Sequence, residues 1–151
     1  AGVVLGSLWG SWSLEVDNSD TPIRAQSTAG YENIRIRFNL KTDGLDAFPQ
    51  DSIHFEYTVN GGSSWVTAET WTSNFDWSFR EYVLPATADN NALFGIRFRG
   101  GTNSNNDNAW VDEVNIEGTA IPCALRTLTT KTNGTGTVAV GTAPDYGLSY
   151  C

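Results

Sequence analysis

Apolar and polar residues alternate with a period of two along most of this chain, and that pattern constrains its fold more than any other feature. Tyr31 to Leu40 (YENIRIRFNL) sets Ile34, Ile36, Phe38 and Leu40 on one face and Arg35, Arg37 and Asn39 on the other. Ser52 to Val59 (SIHFEYTV) turns Ile53, Phe55, Tyr57 and Val59 inward and His54, Glu56 and Thr58 outward. Leu93 to Arg99 (LFGIRFR) turns Phe94, Ile96 and Phe98 inward and Arg97 and Arg99 outward. Ala109 to Glu117 (AWVDEVNIE) puts Trp110, Asp112, Val114 and Ile116 on one face. Asn60-Gly61-Gly62 is a hairpin turn, because those residues tolerate φ > 0, and the return strand lies at about Ser63 to Trp71. A strand near Ser78 to Leu84 ends at Pro85, and Val3 to Val16 supplies one or two more. About seven or eight short strands joined by turn-rich links predict an all-β fold. An antiparallel sandwich is preferred over a barrel, because each strand has one apolar and one polar face.

Composition narrows the partners. The chain has 151 residues, 40% of them hydrophobic, with 7 Phe, 6 Trp and 5 Tyr, which is ample for one packed core. Seventeen acidic residues against 9 basic ones give a formal charge of -8. A field of that sign repels phosphate backbones and anionic lipid, which argues against nucleic acid and membrane partners. No apolar run approaches the roughly 20 residues of a membrane span. The chain begins at Ala1, contains no Met and lacks a basic leader, so we expect a processed protein or a piece of a longer one. A polar, acidic, Lys-poor and aromatic-rich chain suggests a secreted bacterial β-domain, here expected to be a monomer. The composition changes after Gly118. Residues 1–118 are expected to form the sandwich, and 119–151 a linker with a short C-terminal β-hairpin turning at Asn133-Gly134. Cys123 and Cys151 both lie in that tail. They either pair with each other, or Cys151 pairs with a cysteine further along a longer chain.

Several constellations bear on chemistry. His54 is the only histidine, it sits mid-strand, and no GxSxG elbow is present, so no catalytic centre is expected. Arg35, Arg37, Arg97 and Arg99 all face outward, two residues apart on two strands. If those strands share a sheet, the guanidiniums stand on one face among Glu56, Glu113 and Glu117. They then form a salt-bridge ladder, or they grip an acidic sugar or a row of hydroxyls. Trp65 and Trp110 are expected in the core. Trp71 and Trp77 bracket the loop-like stretch TSNFD and are candidate stacking platforms for sugar rings. Asp112 is the sharpest single signal. Its alternation points it inward, where a carboxylate must be paired or metal-bound. Loop carboxylates and amides at Asp17, Asn18, Asp20, Asp43, Asp46, Asp51 and Asp107 are candidate companions, and hard oxygen ligands from several loops suit a structural Ca²⁺. We take Asp112, Asp17, Asp107 and Asp51 as the expected ligands, with an ion pair to Arg as the alternative. The loop Gly100 to Asn108 has no apolar side chain and is expected to be exposed.

The runs DSIHFEYTVNGGSSWV and IRFRGGTNSNNDNAWVDEVNIEG resemble the β-sandwich jelly-roll modules appended to secreted bacterial proteases and polysaccharide-degrading enzymes. Asp51, Asn60, Gly61, Gly62, Trp65, Arg97, Asp107, Asp112, Glu113 and Gly118 occupy the places those modules use. Thr58-Val59 departs from the usual serine-containing approach to the turn, and Glu113 stands where Asp is usual. The resemblance covers about residues 3–118. It implies a MAM-like or carbohydrate-binding-module-like jelly roll, often with structural calcium. On this basis the expected function is a non-catalytic carbohydrate-binding module that targets a parent catalytic domain to polysaccharide. The candidate binding residues come from the strand faces and the loop instead: Trp71, Trp77, Arg35, Arg37, Arg97, Arg99 and Glu56. The alternative is a protein-binding or adhesion accessory domain of a secreted protease.

Overall fold

The computed structural model describes residues 3–8, 13–18, 20–104 and 106–122. The tail from Cys123 to Cys151, with the expected hairpin and disulfide, lies outside the described residues. The chain falls into two compact units, Ala1–Ala120 and Ile121–Cys151.

Two antiparallel sheets make up the first unit. The first sheet has β4 (Tyr31–Asp43) and β9 (Asn108–Ala120) at its centre, β7 (Phe75–Val83) beside β4, and both β1 (Val3–Leu8) and β2 (Leu14–Asp17) beside β9. The second sheet runs β3 (Ile23–Ala25), β8 (Gly95–Gly101), β5 (Ser52–Thr58) and β6 (Val66–Trp71). A 3-10 turn at Ala86–Ala88 is the only helical element among the described residues, so the all-β sandwich is the observed architecture.

The alternation explains the packing. Ile34, Ile36, Phe38 and Leu40 of β4 are buried, as are Ile53, Phe55 and Tyr57 of β5 and Ile96 and Phe98 of β8. Phe38 reaches from the first sheet to Phe55 (5.1 Å between ring centroids) and Phe98 (5.0 Å) in the second, and stacks on Tyr82 at 5.8 Å. Burial, helped by the Glu69 carboxylate, pushes the Tyr82 phenol up to about 12.

Four expectations need correction. Strand β9 does not keep one phase. Arg37 pairs with Asn115 while Asn39 pairs with Asp112, so the register slips by one residue at Glu113, which has φ 53°. This is a β-bulge. Ala109 and Val111 are buried before it, and Val114 and Ile116 after it, leaving Trp110 and Asp112 on the outer side. Second, Trp65 and Trp110 are half-buried and covered by cations rather than by the core. Arg97 lies 4.3 Å from the Trp65 ring centroid and Lys41 5.7 Å from that of Trp110. Third, the arginine pairs stand on different sheets, Arg35 and Arg37 on β4 and Arg97 and Arg99 on β8. Fourth, the loop after β8 starts later than expected, and its Thr102 and Asp107 are buried. Between Trp71 and Trp77 a loop is present as expected but confined to residues 72–74, because β6 ends at Trp71 and β7 begins at Phe75.

Phe38→Ala should destabilise the protein by about 3–5 kcal/mol, since it removes the ring shared by both sheets. Chemical denaturation measures this, and a loss below about 1 kcal/mol would contradict the central role given to that ring.

Candidate functional site

Three places on the sandwich combine exposure with organised chemistry. The first is the outer face of the first sheet. On β7 the outward positions are Trp77 (48% exposed), Phe79 (60%), Glu81 and Val83 (65%), so three large apolar side chains line one edge strand. Beside them β4 presents Arg35, Arg37 and Asn39, and β9 presents Glu113, Asn115 and Glu117. A groove of about 490 Å³ lies among Arg37, Asn39, Phe79, Glu113, Asn115 and Glu117. Its charges are internally matched. Arg37 Nε donates to Glu81 Oε2 (2.7 Å), Arg37 Nη1 donates to Glu117 Oε1 (3.1 Å), and Arg35 lies 3.8 Å from Glu81. Asn39 Nδ2 donates to Glu113 Oε2 at 2.7 Å. The bulge therefore has a consequence here, because it brings the Glu113 carboxylate onto this face. The face offers fixed donors and acceptors next to two exposed rings, an arrangement suited to a flat, hydroxyl-bearing ligand with an apolar side.

The second place is the outer face of the second sheet. Glu56 is only 4% exposed and sits under its partners. It accepts from Arg97 Nε at 2.5 Å, from Arg99 Nη2 at 3.1 Å and from the Thr67 hydroxyl at 3.1 Å. Burial pushes the Glu56 carboxyl up, but the hydrogen bonds from Arg99, Arg97 and Thr67 outweigh it, and the net shift is down. His54 lies beside this group, with Nε2 2.9 Å from Ser52 Oγ and Nδ1 3.0 Å from Thr70 Oγ1. Burial, then the Arg99 guanidinium, pulls the imidazole below its ordinary 6.5.

The third place is carboxylate-rich. Asp46, Asp51 and Asp107 bring ligand oxygens within 4.8 Å of one another. Gly44 makes this approach possible. It has φ +82°, and a Cβ there would drive into the Asn106 carbonyl. Asp51 Oδ1 accepts from the Asn103 backbone N–H and side-chain amide, and its Oδ2 accepts from the Asp46 N–H. Asp107, 4% exposed, has an Oδ2 that is buried without a hydrogen-bond partner. Burial, then repulsion from Asp51 and Asp46, pushes its carboxyl up. An orphaned buried carboxylate oxygen beside two further carboxylates fits a hard divalent cation.

Of the expected metal ligands, the structure thus unites Asp51 and Asp107, with Asp46 as the third. Asp112 is elsewhere, on the outer side of the first sheet, with Oδ1 accepting from the Glu113 N–H. Asp17 ends β2 opposite Asn108 and is not in the group. Of the expected ligand-binding residues, Trp77, Arg35 and Arg37 share the first sheet's face, whereas Arg97, Arg99 and Glu56 share the second's. Trp71 packs toward the core, 6.2 Å from Phe38. Phe79 and Asn115 are absent from the candidates read in the sequence, and Asn39 stands there on the outward face but not among them. Phe79 alternates with Trp77, a signal that was present in the strand pattern.

No family model matches the chain, and no curated protein matches it. Solved structures do. One described as "CBM4 structure and function" superposes with a TM-score of 0.51 at 15% identity, covering 78% of this chain and 78% of that one. The K2 cleaved adhesin domain of Lys-gingipain gives 0.45 at 17% identity over 78% and 71%. The CBM22-1 xylan-binding domain of Paenibacillus barcinonensis Xyn10C gives 0.42 at 12% identity over 81% and 98%. The likeness to the CBM4 structure supports the β-sandwich fold.

Both shifted groups on the second sheet have folded values below their unfolded ones. Their stabilising contribution is therefore present above the ordinary values, 6.5 for His54 and 4.5 for Glu56, and is lost as pH falls through the folded values. The melting temperature should fall on acidification from neutral pH, and His54→Gln should flatten the part of that profile just below 6.5. An unchanged slope in the variant would remove His54 from the explanation.

Proposed function

We propose that the chain is a non-catalytic carbohydrate-binding module whose glycan site is the outer face of the first sheet. The observation that carries this reading is the pairing of exposed Trp77 and Phe79 on β7 with the groove framed by Arg37, Asn39, Glu113, Asn115 and Glu117. A pyranose ring sets its C–H face on an aromatic ring and its hydroxyls against the fixed amides and carboxylates. In this reading the module is a secreted accessory. It holds a parent polysaccharide-degrading enzyme at its insoluble substrate and so raises the local concentration of substrate. The resemblance and the shared sandwich fold support that role, and the absence of a helix long and apolar enough to cross a membrane among the described residues is compatible with it. His54 belongs to a hydrogen-bond row between strands, with the Ser52 and Thr70 hydroxyls on its two ring nitrogens.

Affinity electrophoresis in gels containing a neutral glucan, a neutral xylan or polygalacturonate tests this directly. We expect retardation on at least one of them, and no retardation on any would overturn the reading. Trp77→Ala and Phe79→Ala should each weaken binding by about 1.5–3 kcal/mol, or tenfold and more, while leaving the melting temperature nearly unchanged. Trp71→Ala should instead lower the melting temperature, because its ring packs on Phe38.

We further propose that Asp46, Asp51 and Asp107 hold a structural Ca²⁺, which ties the loop after β4 to the loop after β8. Added Ca²⁺ should raise the melting temperature, and chelation should reverse the gain. Asp107→Asn separates this from a mere acidic cluster. It should stabilise the calcium-free protein at neutral pH by relieving carboxylate repulsion, and it should abolish the gain on adding Ca²⁺. A calcium-insensitive melting temperature in the unsubstituted protein would contradict the site.

A further inference from the structure

The second sheet ends at β3, whose outer edge has no strand partner among the described residues, beside an apolar trough, and the two features fit one kind of ligand. Register places Ala25, Gly95 and Thr58 in one row across β3, β8 and β5. Their small side chains floor a cavity of about 420 Å³ on the outer side of the sheet. Leu93 (60% exposed), the Gly61-Gly62 turn, Ile23 and Trp65 line it, with the turn set against both Leu93 and the Trp65 ring. Trp65 is held in place from below. Its ring lies on Arg97, and Arg97 is anchored by the buried Glu56. The trough is thus preorganised and nearly free of charge.

Strand β3 lines this trough and, among the described residues, pairs with β8 alone. The Phe98 N–H donates to the Pro22 carbonyl and the Gln26 N–H donates to the Phe94 carbonyl. In an antiparallel ladder the bonded pairs alternate, so Arg24 exchanges bonds with Ile96. The N–H and C=O groups of Ile23 and Ala25 therefore point to the free edge. Arg24 is exposed and forms no ion pair among the described residues. Its side chain belongs to the opposite side of the strand from Ile23 and Ala25, because successive residues alternate.

We infer that this edge accepts an extended polypeptide segment as an added strand. One large apolar side chain of the segment would lie over Ala25 into the trough, and an acidic neighbour would stand opposite Arg24. Main-chain bonds to Ile23 and Ala25 provide affinity, while the trough and the guanidinium provide selectivity. The charge also argues against a second copy of this chain. Antiparallel self-pairing centred on Arg24 sets two guanidiniums face to face, which is unfavourable. This site is separate from the glycan face, since the two lie on different sheets of the sandwich.

Fluorescence polarisation on the whole chain tests the inference with capped, labelled octapeptides. One alternates Phe and Glu within a Thr background. The second replaces Glu by Lys, the third replaces Phe by Ser, and the fourth carries N-methyl groups on the backbone amides that would pair with β3. The Phe/Glu peptide should bind best, and the Ser and N-methylated versions should lose binding. Arg24→Glu should shift the preference to the Lys peptide by about threefold to tenfold. Leu93→Ser should weaken all binding, and Ala25→Pro should abolish it by removing an edge donor that no ladder bond uses. Melting temperatures confirm that the variants fold, and the N-methylated peptide probes the main-chain pairing even if Ala25→Pro does not. Polysaccharide retardation should be unchanged in Arg24→Glu and Leu93→Ser. No peptide binding at millimolar concentration, a preference untouched by Arg24→Glu, or displacement of the peptide by methyl glycosides would each overturn the inference.

Discussion

The ring of Phe38 joins what would otherwise be two separate sheets. It projects from the centre of β4 and meets Phe55 and Phe98 of the opposite sheet edge-on, with Tyr82 stacked alongside. Edge-to-face contacts of this kind fix rotation as well as distance, because the positive edge of one ring meets the negative face of the next. The outward residues inherit that precision. Arg37 and Asn39 flank Phe38 in sequence, so the groove on the first sheet is positioned by the same residue whose ring closes the core. On the other side His54 and Glu56 flank Phe55, and Arg97 and Arg99 flank Phe98. Each face is the reverse side of one aromatic cluster.

Both faces solve the same electrostatic problem. Strands with arginine at alternate outward positions need carboxylates nearby, and β7, β9 and β5 supply Glu81, Glu117 and Glu56. The more exposed pairs on the first sheet add little stability, about 0–1 kcal/mol each. What they add is fixed geometry, since a guanidinium bonded on two sides no longer samples rotamers. The first sheet therefore presents ordered polar atoms next to bare rings. The second uses its ordered arginine to support an indole. One charge-pairing motif serves two different surfaces.

The inward side chains of β4, β5 and β8 were legible in the sequence because a buried face imposes strict alternation, and a slip would expose the whole set. The same logic failed at β9. A bulge is a single extra residue, and nothing in AWVDEVNIE distinguishes a strand that changes phase at Glu113 from one that does not. That slip is what sent Asp112 and Trp110 to the outer side. Sheet membership was hidden for a different reason. Alternation tells inside from outside but not which sheet, so Arg35 and Arg97 looked alike until the pairing of β4 with β9 and of β8 with β5 separated them. The carboxylate group lay between these extremes. Asp46, Asp51 and Asp107 were all visible as loop acids, but their meeting depends on Gly44 approaching the Asn106 backbone, a contact far apart in sequence.

The position of β9 in its sheet has a temporal side. It pairs with β1, β2 and β4, so among the described residues β1 and β2 have their sheet neighbour at positions 108–118, about a hundred residues later. As the chain leaves the ribosome, the second sheet has all its strands by Gly101, while β1 and β2 still lack the edge they must join. Pairings this distant in sequence are slow to form, because loop closure precedes any reward. The strands β1 and β2 thus stay without that partner until β9 has been made. A β-sandwich ordered this way closes its first sheet only with its last strand.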